Sequence, residues 1–298
     1  MKRIQSSSKL WLASVCFLLL DSHPLSVCVC LFVAIAGCGS CWAFAATAAL
    51  ESHLAIQTGK LFSLSMQELV SCAPNPKECG GQGGCTGSTA ELAYDFVAKH
   101  GVVEEWRFGY QSYTGNSGNC TLLPDPSHAL RVAPNRDETI KGAVASIAGF
   151  SNLPSNSYQS LMVAVATMGP VVVSVAASGW GLYKGGIYDD SNAKTRDLNH
   201  AVVLEGYGTD PETGDDFWLI RNSWGPLWGE NGYIRLKRVD PSTLDNPELD
   251  CKMDESPADG DACQKDDDGK DVTPKAVSVC GTSGVLFDGV LPVGGHLL

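Results

Sequence analysis

One cysteine of the sequence has the setting of a catalytic nucleophile. Cys41 lies in the segment Gly-Cys-Gly-Ser-Cys-Trp-Ala-Phe (37–44), directly before a helical pattern. A thiol becomes a useful nucleophile only as the thiolate, so its pKa must fall from about 8.5, and a helix N-terminus lowers it. The glycines let backbone approach a ligand, and the N–H of Cys41 could donate to a developing oxyanion. The alternative is a disulfide cysteine in a glycine-rich turn.

A histidine and an asparagine further along the chain could complete this site. His200 stands at the start of a β-branched run, where a strand end facing a cleft would present the imidazole as a general base. Asn222 could hold one imidazole nitrogen while the other faces sulfur, and Trp224 could shield that bond from water. An isolated histidine or asparagine is more often structural. The three segments together predict a Cys-His-Asn site.

The elements that must position these residues fall into two halves. Helical patterns run over 41–58, 64–70, where Ser63 or Ser65 is the expected cap, and 89–100. Short β-branched or aromatic runs follow in the second half: 170–176, 200–205, 217–221 and 232–237. Helices first and strands later predict an α+β chain with two lobes and a binding cleft between them. We interpret the acidic stretch 240–271 as a surface excursion.

Composition limits the class of protein. The chain has 298 residues, is 44% hydrophobic and carries a net charge of −12. It can therefore bury a core, and its charge disfavours nucleic acid as a partner. Twelve cysteines along the chain favour an oxidising compartment and disulfides. Residues 1–37 contain two apolar runs, too short to span a bilayer, and are interpreted as a leader-like segment or as an incorrect start of the translated sequence.

The three chemical segments resemble the papain family of cysteine proteases, cathepsins B and L included. The resemblance implies a helical lobe over about 38–135 and an antiparallel, β-barrel-like lobe over about 136–298, with the site in the cleft between them. It implies a cysteine-type endopeptidase that acts through a thioester, with Cys41 as nucleophile, His200 as general base and acid, and Asn222 as the residue orienting it. No metal or cofactor is implied. The implied partners are peptide or protein substrates and cystatin-like inhibitors, and the expected state is a monomer.

The resemblance also assigns substrate contacts and two disulfides. The implied substrate-binding residues are Gly39, Gly87, Ser88, Leu198 and Asp288, and Trp224 and Trp228 are expected to shield the site. Asp288 would lie at the bottom of the S2 pocket and admit Arg as well as apolar P2 residues. The implied disulfides are Cys38–Cys85 and Cys72–Cys120. Three pairings stay open for the remaining cysteines of this region: Cys79, Cys251, Cys263 and Cys280.

One departure from the family bears on activity. Relatives carry a glutamine six residues before the nucleophile as the second oxyanion donor, and here that position is Ile35. The alternative function is therefore a papain-like scaffold that binds peptides or inhibitors without turnover. The match begins abruptly at Cys38, so we expect a family member truncated on its N-terminal side. The cysteines and the leader-like segment predict the secretory pathway, ending in a lysosome- or vacuole-like compartment or outside the cell.

Overall fold

Four helices and a large open sheet make up the described part of the chain. The computed structural model describes residues 37–123, 139–246 and 250–298. Ile35 and nearly all of the leader-like segment lie outside the described residues. The helices are α1 (Cys41–Thr58), α2 (Met66–Cys72), α3 (Ala90–His100) and α4 (Tyr158–Thr167). Across the three described ranges, no helix has the length and hydropathy needed to cross a membrane.

The first two helices begin or end at signals that the sequence contains. α1 ends at Gly59, which has a left-handed φ of 72° and donates its N–H to Ala55 O at 3.0 Å. A glycine adopts this conformation without the strain that a Cβ would bring. α2 begins after Ser65, whose Oγ accepts from Glu68 N at 3.0 Å. This bond satisfies one of the free N–H groups at the helix start.

The described ranges contain eleven strands, most of them in one large sheet. In chain order the strands are β1 (Ala145–Ser146), β2 (Gly149–Asn152), β3 (Val171–Val175), β4 (Ile187–Tyr188), β5 (His200–Thr209), β6 (Asp216–Arg221), β7 (Tyr233–Lys237), β8 (Cys251–Asp254), β9 (Val277–Cys280), β10 (Gly289–Val293) and β11 (His296–Leu297). Seven of them form one sheet, in the order β2-β10-β3-β5-β6-β7-β4. Neighbours in this sheet are antiparallel except β4 and β7, which are parallel. The remaining strands form two small pairs, β1 with β11 and β8 with β9.

Two apolar cores lie on either side of strand β3. Val171, Val173 and Val175 belong to the core under the sheet, together with Trp218. Val172, between them, belongs to the core that packs against α1 and α3. Successive side chains of a strand point to opposite faces, so a strand buried on both faces has an uninterrupted apolar run. This accounts for the continuous valines that the sequence shows here.

The predicted α+β class is confirmed, and the structure refines it in three places. The large sheet is open at both ends and does not close into a barrel. Helix α4 was not predicted, although its cap Ser157 and the buried positions Leu161, Ala164 and Val165 have helical spacing. The stretch 240–271, expected as a surface excursion, contains strand β8 and is tied into the fold by disulfides.

Four disulfides connect the described cysteines other than Cys41. Two join the pairs that the family resemblance implied, Cys38–Cys85 and Cys72–Cys120. The other two decide among the open pairings: Cys79 bonds to Cys263, and Cys251 bonds to Cys280. Cys251 and Cys280 face each other across strands β8 and β9, whereas Cys79 and Cys263 connect segments 184 residues apart. Cross-links over such long loops stabilise a fold by restricting the unfolded chain.

Two glutamates, one fully buried and one half-buried, have pKa values far above their ordinary range. Glu68 is fully buried, and its Oε2 accepts from Val103 N at 2.7 Å. Burial raises its pKa to about 8. Burial likewise raises the pKa of Glu51, which accepts from Leu64 N at 2.8 Å, to about 7. Both side chains therefore remain protonated in the folded protein at mildly acidic pH.

We predict that the free energy of unfolding falls as the pH rises from 5 to 8. Folded Glu68 keeps its proton up to about pH 8, whereas the unfolded chain releases it near the ordinary pKa of about 4.3. The stabilisation is therefore complete below that pKa and is lost through the folded pKa. Urea unfolding should show that Glu68→Gln removes roughly 2–4 kcal/mol of this fall. Glu212→Gln, at an exposed position, should leave this fall unchanged. The prediction is contradicted if the free energy of unfolding depends on pH equally in the wild-type protein and in both variants.

Candidate active site

Cys41 is held at the first turn of α1 by contacts that the residues before and after it in the chain make. Gly39 donates its N–H to Cys85 O at 2.8 Å, and a Cβ at Gly39 would lie 2.9 Å from the same oxygen. The glycine is needed because this approach leaves no room for a side chain. Trp42 is fully buried and donates its Nε1 to Gly84 O at 3.1 Å. Among the described cysteines, Cys41 is the free one.

His200 and Asn222 meet because β5 and β6 are antiparallel neighbours, so the start of β5 lies beside the end of β6. His200 is the first residue of β5, and Asn222 directly follows β6. The two side chains are joined by a hydrogen bond of 2.8 Å between His200 Nε2 and Asn222 Oδ1. The same oxygen accepts from Ser223 N at 2.8 Å, which fixes the amide as an acceptor. His200 Nε2 is therefore the donor, and its Nδ1 is left for Cys41.

Each partner changes the protonation of the other. Burial raises the pKa of the Cys41 thiol, but the hydrogen bond and charge of His200 and backbone hydrogen bonds from Ala201 and Trp42 outweigh it, so the pKa lies below its ordinary value. Burial lowers the pKa of His200, but the hydrogen bond and charge of Cys41 and the bond to Asn222 outweigh it, so the pKa is raised. The two shifts in opposite directions favour a thiolate beside an imidazolium.

Tryptophans cover the imidazole on its sheet side. The ring of Trp224 lies 5.0 Å from the His200 ring, and that of Trp180 lies 6.2 Å away. Trp228 packs against both tryptophans, at 5.1 Å and 6.0 Å, and so contacts His200 only through them. Trp180, which sequence reasoning missed, is fully buried and donates its Nε1 to Ser283 Oγ at 3.1 Å. Its position in a short turn outside any motif gave no signal.

A cavity of about 310 Å³ opens beside Cys41 and His200. Four of the five expected substrate-binding residues line it: Gly39, Gly87, Ser88 and Asp288. The fifth, Leu198, is fully buried, and a Cβ on Gly260 would lie 2.8 Å from its Cβ. Leu198 lies beneath Gly260 and is not part of the cavity wall. Sequence reasoning also missed that the excursion contributes Ala258, Asp259, Gly260 and Gln264 to the cavity wall.

Asp288 brings an acid to the wall of this cavity. Ser174 Oγ donates to Asp288 Oδ2 at 2.5 Å. Burial and the negative charge of Glu91, with a smaller effect of Asp261, raise the pKa of Asp288 well above its ordinary range, although the Ser174 bond opposes this. Like charges close together cannot all ionise at low cost. A cationic group that enters the cavity would relieve this repulsion.

A family model and individual relatives both match this chain to cysteine proteases. The family model described as "Papain family cysteine protease" matches residues 29–257. A cathepsin L-like protein of Caenorhabditis elegans is 38% identical over 204 residues, covering 67% of this chain and 53% of the relative. Cysteine protease 1 of Oryza sativa subsp. japonica is 42% identical over 203 residues, covering 67% and 36%. The chain thus spans about half or less of the length of these relatives.

Solved structures agree in fold. The bromelain protease from Ananas comosus in complex with the E64 inhibitor superposes with a TM-score of 0.59 and 27% identity, covering 87% of this chain and 91% of that one. A cysteine protease from Carica candamarcensis in complex with E-64 gives a TM-score of 0.56 and 30% identity, covering 88% and 91%.

We predict that Cys41 forms its thiolate at lower pH than an ordinary thiol, because His200 lowers its pKa. The rate of its alkylation by iodoacetamide, followed by mass spectrometry of the Cys41 peptide, should fall less between pH 8 and pH 6 than the rate of a free thiol does. The rate for a free thiol with a pKa of about 8.5 would fall about 75-fold over this interval. His200→Ala should restore the steep loss, because it removes the bond and charge that lower the pKa of Cys41. A steep loss in the wild-type protein would contradict the prediction.

Proposed function

Since the chain belongs to the papain family of cysteine proteases, we propose that it hydrolyses peptide bonds through a thioester on Cys41. The observation that carries the proposal is the 2.8 Å bond that orients His200 toward the thiol. The thiolate attacks the scissile carbonyl carbon, and the imidazolium gives its proton to the leaving amine. A water then hydrolyses the thioester, with the imidazole as general base. Asn222 keeps the ring and its tautomer in place.

The oxyanion of this reaction needs hydrogen-bond donors. The N–H of Cys41, at the start of α1, supplies one where the helix dipole is positive. The family's second donor is a glutamine side chain, and this sequence has Ile35 at that position. Loss of one oxyanion donor costs on the order of 10²–10³ in rate. Ile35 therefore favours a second candidate function, a scaffold that binds peptides or inhibitors with little or no turnover.

We propose that residues 38–298 form the catalytic domain. Peptides or proteins are the substrates, and cystatin-like inhibitors are candidate partners of a monomeric enzyme. The relatives from Ananas comosus and Carica candamarcensis are complexes with E-64, so the same epoxide is the first probe for this chain.

An acidic compartment of the secretory pathway, such as a lysosome or vacuole, or the extracellular space suits the chain. The four disulfides among the described cysteines persist best in an oxidising environment. Burial raises the pKa of Glu51 to about 7 and that of Glu68 to about 8, so mildly acidic pH keeps both side chains neutral.

Peptidase activity is tested with a fluorogenic Phe-Arg amide and with E-64. We expect turnover that Cys41→Ser abolishes and E-64 labelling at Cys41 alone. Ile35→Gln should raise kcat by about 10²–10³, because it restores an oxyanion donor, with little change in KM. E-64 labelling without turnover in either protein would favour the binding scaffold. A lack of both labelling and turnover would contradict a peptide-binding cleft at Cys41.

Asp288 is proposed to contact the side chain of the P2 residue. An ionised Asp288 would pair with Arg, whereas its protonated form accepts an apolar P2 residue. We expect Asp288→Asn to lower kcat/KM at least tenfold for an Arg-Arg amide and less than threefold for a Phe-Arg amide. The matched control is Asp189→Asn, because the Asp189 carboxylate pairs with Lys237 and does not line the cavity. Equal effects on both substrates would remove Asp288 from P2 recognition.

A further inference from the structure

One part of the acidic excursion crosses the cleft, and we call residues 255–264 the strap. Its first end is fixed beside the strand that carries His200. Glu255 N donates to Asp197 Oδ1 at 2.7 Å. Just before the strap, Asp254 is fully buried and its Oδ2 accepts from Leu198 N at 3.3 Å. The strap therefore starts from the segment that leads into β5.

The other end of the strap is fixed to the loop between α2 and α3. Cys263 forms the disulfide with Cys79. Beside it, Gly80 N donates to Ala262 O at 3.3 Å and Gln264 N donates to Lys77 O at 3.1 Å. These bonds connect the helical half of the chain to the excursion of the sheet half. The strap thus spans from one half to the other, with a covalent anchor at the far end.

Between its two ends, the strap fills the space between the walls of the cleft. A Cβ on Gly80 would lie 2.4 Å from Gly260 O, and a Cβ on Gly260 would lie 2.8 Å from Leu198 Cβ. Gly260 therefore touches the helical wall and the sheet wall at once, and neither glycine position has room for a side chain. Ala258 and Asp259 face the same cavity as Cys41 and His200. A cavity of about 310 Å³ is at the small end for ligand pockets.

We propose that the strap closes the cleft behind the second substrate residue on the N-terminal side of the scissile bond. The chain would then remove short peptides, chiefly dipeptides, from the free N-termini of substrates rather than cut within long chains. This rests on the proposed function, since Ser88 and Asp288 mark the end of the cleft that receives those residues. It replaces the endopeptidase activity that the family resemblance implies with cleavage of the same peptide bonds near the N-terminus.

The charge of the closed end fits a substrate with a free N-terminus. Asp259 of the strap and Asp288 line the cavity. A third acid, Asp261, has a pKa raised to about 6 by burial and by the charges of Glu91 and Asp254. With a pKa of about 6, Asp261 is mostly ionised at neutral pH, and a protonated α-amino group at this end would be attracted to it. A blocked or extended N-terminus would bring extra atoms to a closed wall and no positive charge.

The strap is tested with two peptidyl vinyl sulfones, which place their residues in a fixed register once Cys41 adds to them. One carries a free-amino Phe-Arg dipeptide, and the other carries the same dipeptide extended by an acetylated Ala-Ala-Ala. We expect the short probe to inactivate the wild-type protein at least tenfold faster than the extended one, with the Cys41 adduct read by mass spectrometry. The Cys79→Ser/Cys263→Ser variant, in which the strap loses its covalent anchor, should react with both probes at similar rates.

The matched control removes the other disulfide of the excursion. Cys251→Ser/Cys280→Ser cuts the link across β8 and β9, whose cysteines do not line the cavity, and should keep the tenfold preference. Equal rates in the wild-type protein, or faster reaction with the extended probe, would overturn the proposal. Iodoacetamide tests the thiol separately: if it fails to label Cys41, the proposed function fails. The two probes are then compared as reversible ligands of Cys41→Ser by calorimetry, where tenfold tighter binding of the short one supports the strap and any other result overturns it.

Discussion

The site depends on one interaction, the pairing of the Cys41 thiol with the His200 imidazole. Each group alone would keep its neutral form on burial, because burial raises the pKa of a thiol and lowers that of an imidazole. Their mutual hydrogen bond and charge reverse both shifts. The fold must therefore hold the first residue of α1 against the first residue of β5, with Asn222 behind the ring. The helix-side core, which includes Val172 and Val203 of the sheet, keeps α1 against β5.

The second constraint is that the two halves are joined across the cleft as well as beneath it. Beneath, they share a continuous core; across, the strap and the Cys79–Cys263 disulfide connect the loop after α2 with the excursion after β7. This disulfide links residues 184 positions apart. The same connection that stabilises the fold also shapes the cleft, because Gly260 fills the space between Gly80 and Leu198. Stability and substrate access are therefore set by one element.

The sequence predicted the elements with strong local signals and missed those defined by tertiary contacts. α1 and the strand with His200 followed from apolar periodicity and from a glycine at the helix end. Trp180 could not be found, since its proximity to His200 arises from a turn between β3 and β4. Leu198 was expected at the substrate, but whether it is open depends on a segment more than fifty residues later. An acidic, Pro- and Gly-rich composition indicates exposure on average and does not reveal where a disulfide will take the chain.

The ion pair of Cys41 and His200 is tested most directly by the protonation state of His200. This state can be measured by ¹⁵N NMR of histidine-labelled protein as the pH is raised. We expect both ring nitrogens to stay protonated above the ordinary histidine pKa of about 6.5, because the thiolate of Cys41 stabilises the imidazolium. In Cys41→Ser, which carries no thiolate, the ring should lose its proton below that pH, since burial then dominates. If the imidazole titrates at the same pH in the wild-type protein and in Cys41→Ser, the ion pair is contradicted.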